Sequence, residues 1–237
     1  MKWRIRHSDV TESTNKDALG GKPGDVFTAD LQTAGRGRLD HKWLSPPGEN
    51  LMMSAVTDVS DAEPQEAATL PLVAGLSAAQ AVCGLCGESA APNVKVKWPN
   101  DVLVDGKKIC GILCERNGDS VIIGIGINVN QTRFDPEIAD RATSVRLELG
   151  VRTEVSRVRD AVLDRLSSNI ARWRADGFAS LLPELSELDC LKGRHITVRR
   201  TDGDSAPASG ICGGIRSDGT LDVAGEAVSA GEAHIQR

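Results

Sequence analysis

Residues 94–129 read VKVKWPNDVLVDGKKICGILCERNGDSVIIGIGINV. Val94 to Trp98 and Val102 to Val104 are rich in β-branched and alternating apolar positions, as extended chain requires. Asp105-Gly106 and Asn117-Gly118 are two-residue turn signals, because a tight hairpin needs residues that tolerate positive φ. Between and after them lie a return strand, Lys108 to Glu115, and a further strand, Val121 to Val129. The stretch is therefore an antiparallel meander.

Working towards the N-terminus, a strand is expected over Trp3 to His7. A helix then starts at Thr11-Glu12-Ser13-Thr14-Asn15, where hydroxyls can cap free amides and Asp17 stands three residues beyond Thr14. Gly20 and Gly21 end it, and Lys22-Pro23-Gly24-Asp25 turns into a strand over Val26 to Gln32. A Gly/Arg loop, a Pro46-Pro47-Gly48 turn, a strand over Leu51 to Thr57 and a helix from about Pro64 to Cys86 follow. Towards the C-terminus, helices are expected over Glu154 to Trp173 and Phe178 to Leu188. Leu163, Leu166, Ile170 and Trp173 fall at the three- and four-residue spacing of one buried face. From about residue 190, Ile196-Thr197-Val198, Gly210-Ile211-Cys212, Leu221-Asp222-Val223 and Val228 alternate with glycine-rich turns as a small β module. The class is α+β, with units at 1–188 and 189–237.

Composition narrows the function. The 237 residues carry 28 Lys plus Arg against 33 Asp plus Glu, a net charge of −5, so no basic excess marks a nucleic-acid binder. Aromatics reach 3% and Tyr is absent, which argues against base-stacking surfaces. Ala67 to Gly87 is uncharged over 21 residues, but Ala, Gly, Ser and Thr dominate it, and a buried helix is expected rather than a membrane span. The charged opening Met1-Lys2-Trp3-Arg4 is no secretory signal, and a cytoplasmic setting is expected. Cys83 and Cys86, Cys110 and Cys114, Cys190 and Cys212 show no common spacing and no nearby His. Structural thiols are expected and no metal ligand is assigned, with a zinc or redox role as the alternative should the pairs converge in space.

Three constellations carry chemistry. In Gln32-Thr33-Ala34-Gly35-Arg36-Gly37-Arg38, glycines let backbone amides approach a ligand while two guanidiniums offer bidentate donors to carboxylate or phosphate. It lacks the Gly-Lys-Ser/Thr of a nucleotide-binding P-loop, and Asp40 stands where a dinucleotide fingerprint needs its third glycine. Taken alone, it also fits an exposed flexible loop. In Lys97-Trp98-Pro99-Asn100-Asp101, Pro99 holds Trp98 extended and gives the amide and carboxylate a fixed direction, although Asn and Asp after Pro also make ordinary turns. In Gly124-Ile125-Gly126-Ile127-Asn128, alternate glycines strip one strand face into a flat bed, with Asn128 on the same face.

Together these segments resemble the biotin protein ligase family. Glu12-Ser13-Thr14-Asn15, the Gly/Arg loop, Lys97-Trp98-Pro99-Asn100-Asp101, Lys108 through Gly111-Ile112-Leu113, Gly124 to Asn128 and Ala142-Thr143-Ser144 occur in the family's order over residues 11–148. The resemblance implies a mixed-sheet catalytic domain of the class II aminoacyl-tRNA synthetase/biotin ligase type, followed by a small SH3-like β-barrel. It implies that ATP activates biotin as biotinyl-5′-AMP with Mg²⁺ assisting. The acceptor is then a lysine of the biotin carboxyl carrier protein or domain of acetyl-CoA carboxylase. On that reading Ser13, Thr14, Asn15, Gln32, Gly35, Arg36, Gly37, Arg38, Lys108, Gly111 and Gly126 face biotin. Trp43, Asn100, Asp101 and Asn128 serve the adenylate, and Arg38 and Lys108 are catalytic. Two anions must meet, so fixed cations at Arg36, Arg38 and Lys108 would offset their repulsion. Leu39-Asp40-His41-Lys42-Trp43 departs from the family loop, which has Gly and Arg at the positions of Asp40 and His41. The chain starts about ten residues before Glu12, which leaves no room for the helix-turn-helix of repressor members. The expected form is therefore stand-alone, possibly homodimeric as many relatives are, without nucleic-acid or membrane partners. Lipoate ligases share the fold by resemblance and are the rival enzymes. A biotin sensor with an altered loop is the rival non-enzyme.

Overall fold

In the computed structural model, which describes residues 2–39, 41–86, 93–201 and 206–236, the meander supplies four adjacent strands at one side of a seven-stranded sheet. Its order is β1-β2-β3-β7-β6-β5-β4, with β1 (Arg4–Thr11), β2 (Asp25–Gln32), β3 (Leu51–Asp58), β4 (Val94–Lys97), β5 (Asp101–Val104), β6 (Lys107–Asn117) and β7 (Ser120–Ile127). Only β1 and β2 pair in parallel, so the sheet is mixed. The expected turn at Asp105-Gly106 joins β5 to β6; the second turn lies one residue later than expected, at Gly118-Asp119, because Asn117 ends β6 and pairs with Ser120 of β7.

Side chains alternate across this sheet, as the strand period of two demands. Met53, Ala55, Ile123, Ile125 and Ile112 face the main core with α3 (Leu70–Cys86) and α5 (Val155–Asp176). Ser54, Gly124 and Gly126 point to the other face, where the site lies. The apolar helical stretch Pro64–Leu85 is long and apolar enough to cross a membrane, yet 67% of its most apolar window is buried inside the fold. It is also broken, into α2 (Pro64–Ala67) and α3, with Thr69 at the break donating its hydroxyl to the Glu66 carbonyl. Leu163, Leu166, Ile170 and Trp173 are all buried on α5, the face expected from their spacing.

Some elements differ from expectation. β1 runs four residues further than His7, and it is exposed along nearly its whole length. The helix at Ser13 is a single turn, α1 (Thr14–Asp17), and no side chain caps it. Asp17 instead accepts from Thr11 Oγ1, so there is no capping box. A short α4 (Val145–Leu149) follows Ser144, whose Oγ accepts the Leu147 amide. The second helical segment is a 3-10 turn leading into α6 (Leu182–Leu188).

The C-terminal strands β8 (His195–Arg199), β9 (Ala208–Ile215), β10 (Leu221–Val223), β11 (Glu226–Val228) and β12 (Glu232–Ile235) make a second, antiparallel sheet in the order β11-β10-β9-β8-β12. It is tied to the first by the buried indole of Trp98, which donates to the Gly219 carbonyl at 3.1 Å, and by the Cys190 amide on the Val96 carbonyl.

Candidate active site

Two groups of polar side chains lie on the open face of the mixed sheet. The first surrounds α1. Ser13, Thr14 and Asn15 are buried there because the turn packs onto β2, β3 and β7. Gln32 Oε1 accepts the Thr14 amide at 2.8 Å and its hydroxyl at 3.1 Å. Ser54 Oγ lies 2.7 Å from Thr14 Oγ1 and 2.5 Å from Asn15 Oδ1. Asn15 Nδ2 donates to Glu115 Oε2 at 2.6 Å. Beside them is a cavity of about 290 Å³, lined in part by Ser13, Asn15, Ala34, Arg36 and Glu115.

The second group gathers around Lys108. Its Nζ is 2.6 Å from Asp101 Oδ1. Its backbone is held by Ala142-Thr143-Ser144: the Lys108 amide donates to the Arg141 carbonyl, and the Thr143 amide donates to the Lys108 carbonyl. Asn100 Nδ2 donates to the Ile112 carbonyl at 2.9 Å, which aims Oδ1 at Arg38 NH1, 3.5 Å away. Arg38 also reaches the Gly231 carbonyl at 3.4 Å. Burial pulls the Arg38 pKa down, opposed by the carboxylates of Glu232 and Asp101. Asn128 Nδ2 donates to the Thr143 carbonyl, so this side chain braces the Lys108 support.

The Gly/Arg loop connects the two groups. It closes on itself through the Gly37 amide on the His41 carbonyl, the Trp43 amide on the Gly35 carbonyl, and an Arg36–Lys42 bridge. A Cβ at Gly35 would sit 2.4 Å from the Trp43 carbonyl oxygen, so only glycine permits this closure. His41 Nε2 is 3.4 Å from Glu232 Oε1 on β12. Asp40 lies outside the described residues.

These features are shared with known proteins. Residues 7–131 match the model of the biotin/lipoate A/B protein ligase family. The chain belongs to that family. It is 33% identical over 233 residues to the biotin–[acetyl-CoA-carboxylase] ligase of Paracoccus denitrificans, covering 92% of each chain. It is 35% identical over 193 residues to the bifunctional ligase/repressor BirA of Bacillus subtilis, covering 76% of this chain and 58% of that protein. The chain thus spans less than two thirds of that relative's length. The biotin protein ligase of Aquifex aeolicus, solved with biotin and ATP, superimposes with a TM-score of 0.85 at 29% identity, covering 98% of both chains. The fold of this biotin/lipoate ligase family member is accordingly that of a biotin ligase, a mixed sheet with a second antiparallel sheet.

The structure rearranges two expectations about the site. Arg36 does not serve with Arg38 and Lys108; its NH2 pairs with Glu115 Oε1 at 3.0 Å, at the wall of the cavity. Gly111 and Gly126 do form an open bed, but the Trp43 indole lies on it, 2.6 Å from where a Gly126 Cβ would stand and 3.0 Å from one at Gly111. Among the described residues, buried Trp43 Nε1 has no hydrogen-bond partner there. Ser54 and Glu115 were missed by sequence reasoning, whereas Gly124 was read as part of the glycine bed. Ser54 is the one hydroxyl between Leu51 and Val56. Glu115 carried no local signal. Among the described residues the cysteines form no metal cluster; one group that could hold an ion, His7, Asp9 and Asp30, lies exposed on β1 and β2. The side chain of Cys86 lies outside the described residues.

Proposed function

We propose that the protein is a biotin–protein ligase. It activates biotin as biotinyl-5′-AMP and transfers it to a lysine of a carboxylase's biotin carboxyl carrier domain. The observation that carries this is the juxtaposition of the cavity at Ser13 and Asn15, backed by Thr14 and Gln32, and the Arg38-Asn100-Asp101-Lys108 group, joined by one loop over a glycine bed. The Paracoccus relative's name and the Aquifex complex with biotin and ATP support it.

A cavity of about 290 Å³ with hydroxyl and amide groups suits a small bicyclic head with its own polar groups. The charged group suits the other end of the reaction. Attack of a carboxylate on the ATP α-phosphate brings two anions together, and Lys108 with half-buried Arg38 offsets that repulsion where water is scarce. Asn100 and Asp101 are hard oxygen donors of the kind Mg²⁺ takes beside phosphates, and the ion would add neutralising charge there. The adenylate then passes to an amine without a covalent enzyme intermediate. The strands after residue 189 form the SH3-like unit on this reading, in a chain working in the cytoplasm.

The test is pyrophosphate release from Mg·ATP with biotin, lipoate or octanoate. Release with biotin alone is expected. Release with lipoate instead would move the assignment to a lipoate ligase, and tight biotin binding without release would make the protein a sensor.

A further inference from the structure

We propose that Glu115 is a positioning and specificity-determining residue: its carboxylate fixes the Asn15 amide at the wall of the proposed biotin cavity and, through it, the hydrogen bonds of Ser54 and Thr14 behind that wall. The inference rests on the ligase reading and goes beyond it to a residue that acts through others.

The wall is one connected chain. Glu115 Oε2 accepts from Asn15 Nδ2 at 2.6 Å, Asn15 Oδ1 is 2.5 Å from Ser54 Oγ, and Ser54 Oγ is 2.7 Å from Thr14 Oγ1. Ser54, Thr14 and Asn15 are 0%, 3% and 5% exposed, so water does not set their orientation. A carboxylate only accepts, so the Asn15 amide turns its NH₂ to Glu115, with the Leu113 carbonyl a longer second acceptor at 3.3 Å, and its oxygen to Ser54. That oxygen only accepts as well, so the Ser54 proton points at Asn15, and Thr14 donates to Ser54 or to Gln32 Oε1, 3.1 Å away. Both hydroxyls are thereby committed inside the protein, and of the chain's members Asn15 and Glu115 line the cavity, with oxygens that only accept. A ligand with N–H donors, such as a cyclic urea, is matched, and a ligand head without N–H groups leaves those acceptors unpaired.

The Glu115 side chain also holds Arg36 NH2, 3.0 Å from Oε1, so the same carboxylate anchors the loop at the cavity edge. Gly124 makes room for the arrangement: a Cβ there would stand 2.2 Å from Asn15 Oδ1.

The experiment measures biotin and desthiobiotin affinity by calorimetry, and steady-state pyrophosphate release, for the wild-type chain and Glu115→Gln. Glutamine keeps the size but can present its own NH₂ to Asn15, which leaves the long contact to the Leu113 carbonyl as the one fixed acceptor for Asn15 Nδ2. The expected result is a KM for biotin raised about tenfold, the scale of one hydrogen bond to a ligand, with kcat at saturating biotin within about twofold. Desthiobiotin, which keeps the cyclic urea, should weaken by the same factor. In an Asn15→Ala background the Glu115→Gln effect should vanish, because the carboxylate acts through Asn15. Should Asn15→Ala fail to fold, Ser54→Ala interrupts the chain one step further on and should reduce the effect likewise. A Glu115→Gln enzyme with wild-type biotin KM, or an effect that survives in full when the chain is cut, overturns the proposal. A wild-type protein that binds biotin without releasing pyrophosphate sinks the ligase reading instead, and the calorimetric comparison still decides the role of Glu115.

Discussion

Two glycines on one strand face separate what holds the site together from what covers it. A methyl group at Gly124 would lie 2.2 Å from Asn15 Oδ1 and 2.9 Å from the Leu113 carbonyl oxygen. Asn15 would have to retreat by roughly 1.2 Å to restore ordinary contact, and the Leu113 carbonyl sits in a strand and cannot follow. Overpacking of this kind costs about 1–3 kcal/mol, and displacing Asn15 from a carboxylate adds a further ~1.5–3 kcal/mol. We expect Gly124→Ala to lose about 3 kcal/mol, which for a chain of this size is a fall in Tm of about 6–12 °C. Biotin affinity should fall with it. A methyl at Gly126 has the Trp43 ring as its nearest neighbour, 2.6 Å from Cε2, a side chain rather than strand backbone. Gly126→Ala should therefore move Tm by less than about 3 °C while impairing adenylate formation. Thermal denaturation by circular dichroism, run beside biotin titration, checks both. Equal Tm losses for the two variants, or a wild-type Tm for Gly124→Ala, would refute the reasoning.

Arg38→Ala should lower the rate of biotin-dependent pyrophosphate release more than tenfold, since transition-state charge loses a fixed partner; an unchanged rate in a stopped assay removes Arg38 from the chemistry. Burial raises the thiol pKa of Cys83, Cys110, Cys114, Cys190 and Cys212, the last two to about 11, so iodoacetamide at pH 7.5 should leave activity intact. Loss of activity on alkylation would point to a reactive thiol. Asp25 is held below the usual carboxylate range by the Lys22 amide, and further by Arg4 and Arg6 despite its burial. Its stabilisation is present above the unfolded pKa of about 3.9 and is lost as pH falls through the lower folded value. Asp25→Asn should therefore be less stable at pH 7 and lose less Tm than wild type between pH 4 and 2; parallel curves would contradict this.

What the sequence revealed depended on whether the signal was local. The meander was legible because its two turns are two-residue pairs with positive φ at Gly106 and Gly118, and the α5 face because its apolar spacing runs over about three turns. β1 was read short because an exposed edge strand buries nothing on either face, so Ser8 to Thr11 show no alternation. β12 escaped because Glu232-Ala233-His234-Ile235 owes its extension to pairing with β8, not to its own pattern. The motif residues of the site were found, yet their grouping was not. Arg36 and Arg38 are two residues apart and read as one pair of cations, while their partners, Glu115 on β6 and Asn100 before β5, come from distant segments. That Trp43 lies on Gly126 likewise follows from the path of the loop, which no spacing encodes.

The divergence of the two arginines bears on how the reaction is organised. A reaction that joins a carboxylate to a phosphate needs both partners held before their repulsion is overcome. The rigid parts of the site cannot do this alone, since the α1 group and the Lys108 group are fixed on different strands. The loop from Gly35 to Trp43 is the element common to both, anchored at one end through Arg36 on Glu115 and at the other through Arg38 on Asn100 and Gly231. His41 on Glu232 adds a third anchor, from the second sheet. Ordering that loop once therefore places a cation at each end, and its entropic cost is met once for two binding events. The same geometry explains why no nucleophilic side chain is required: position and charge, supplied by one loop over a bed of glycines, are what the chemistry lacks in water.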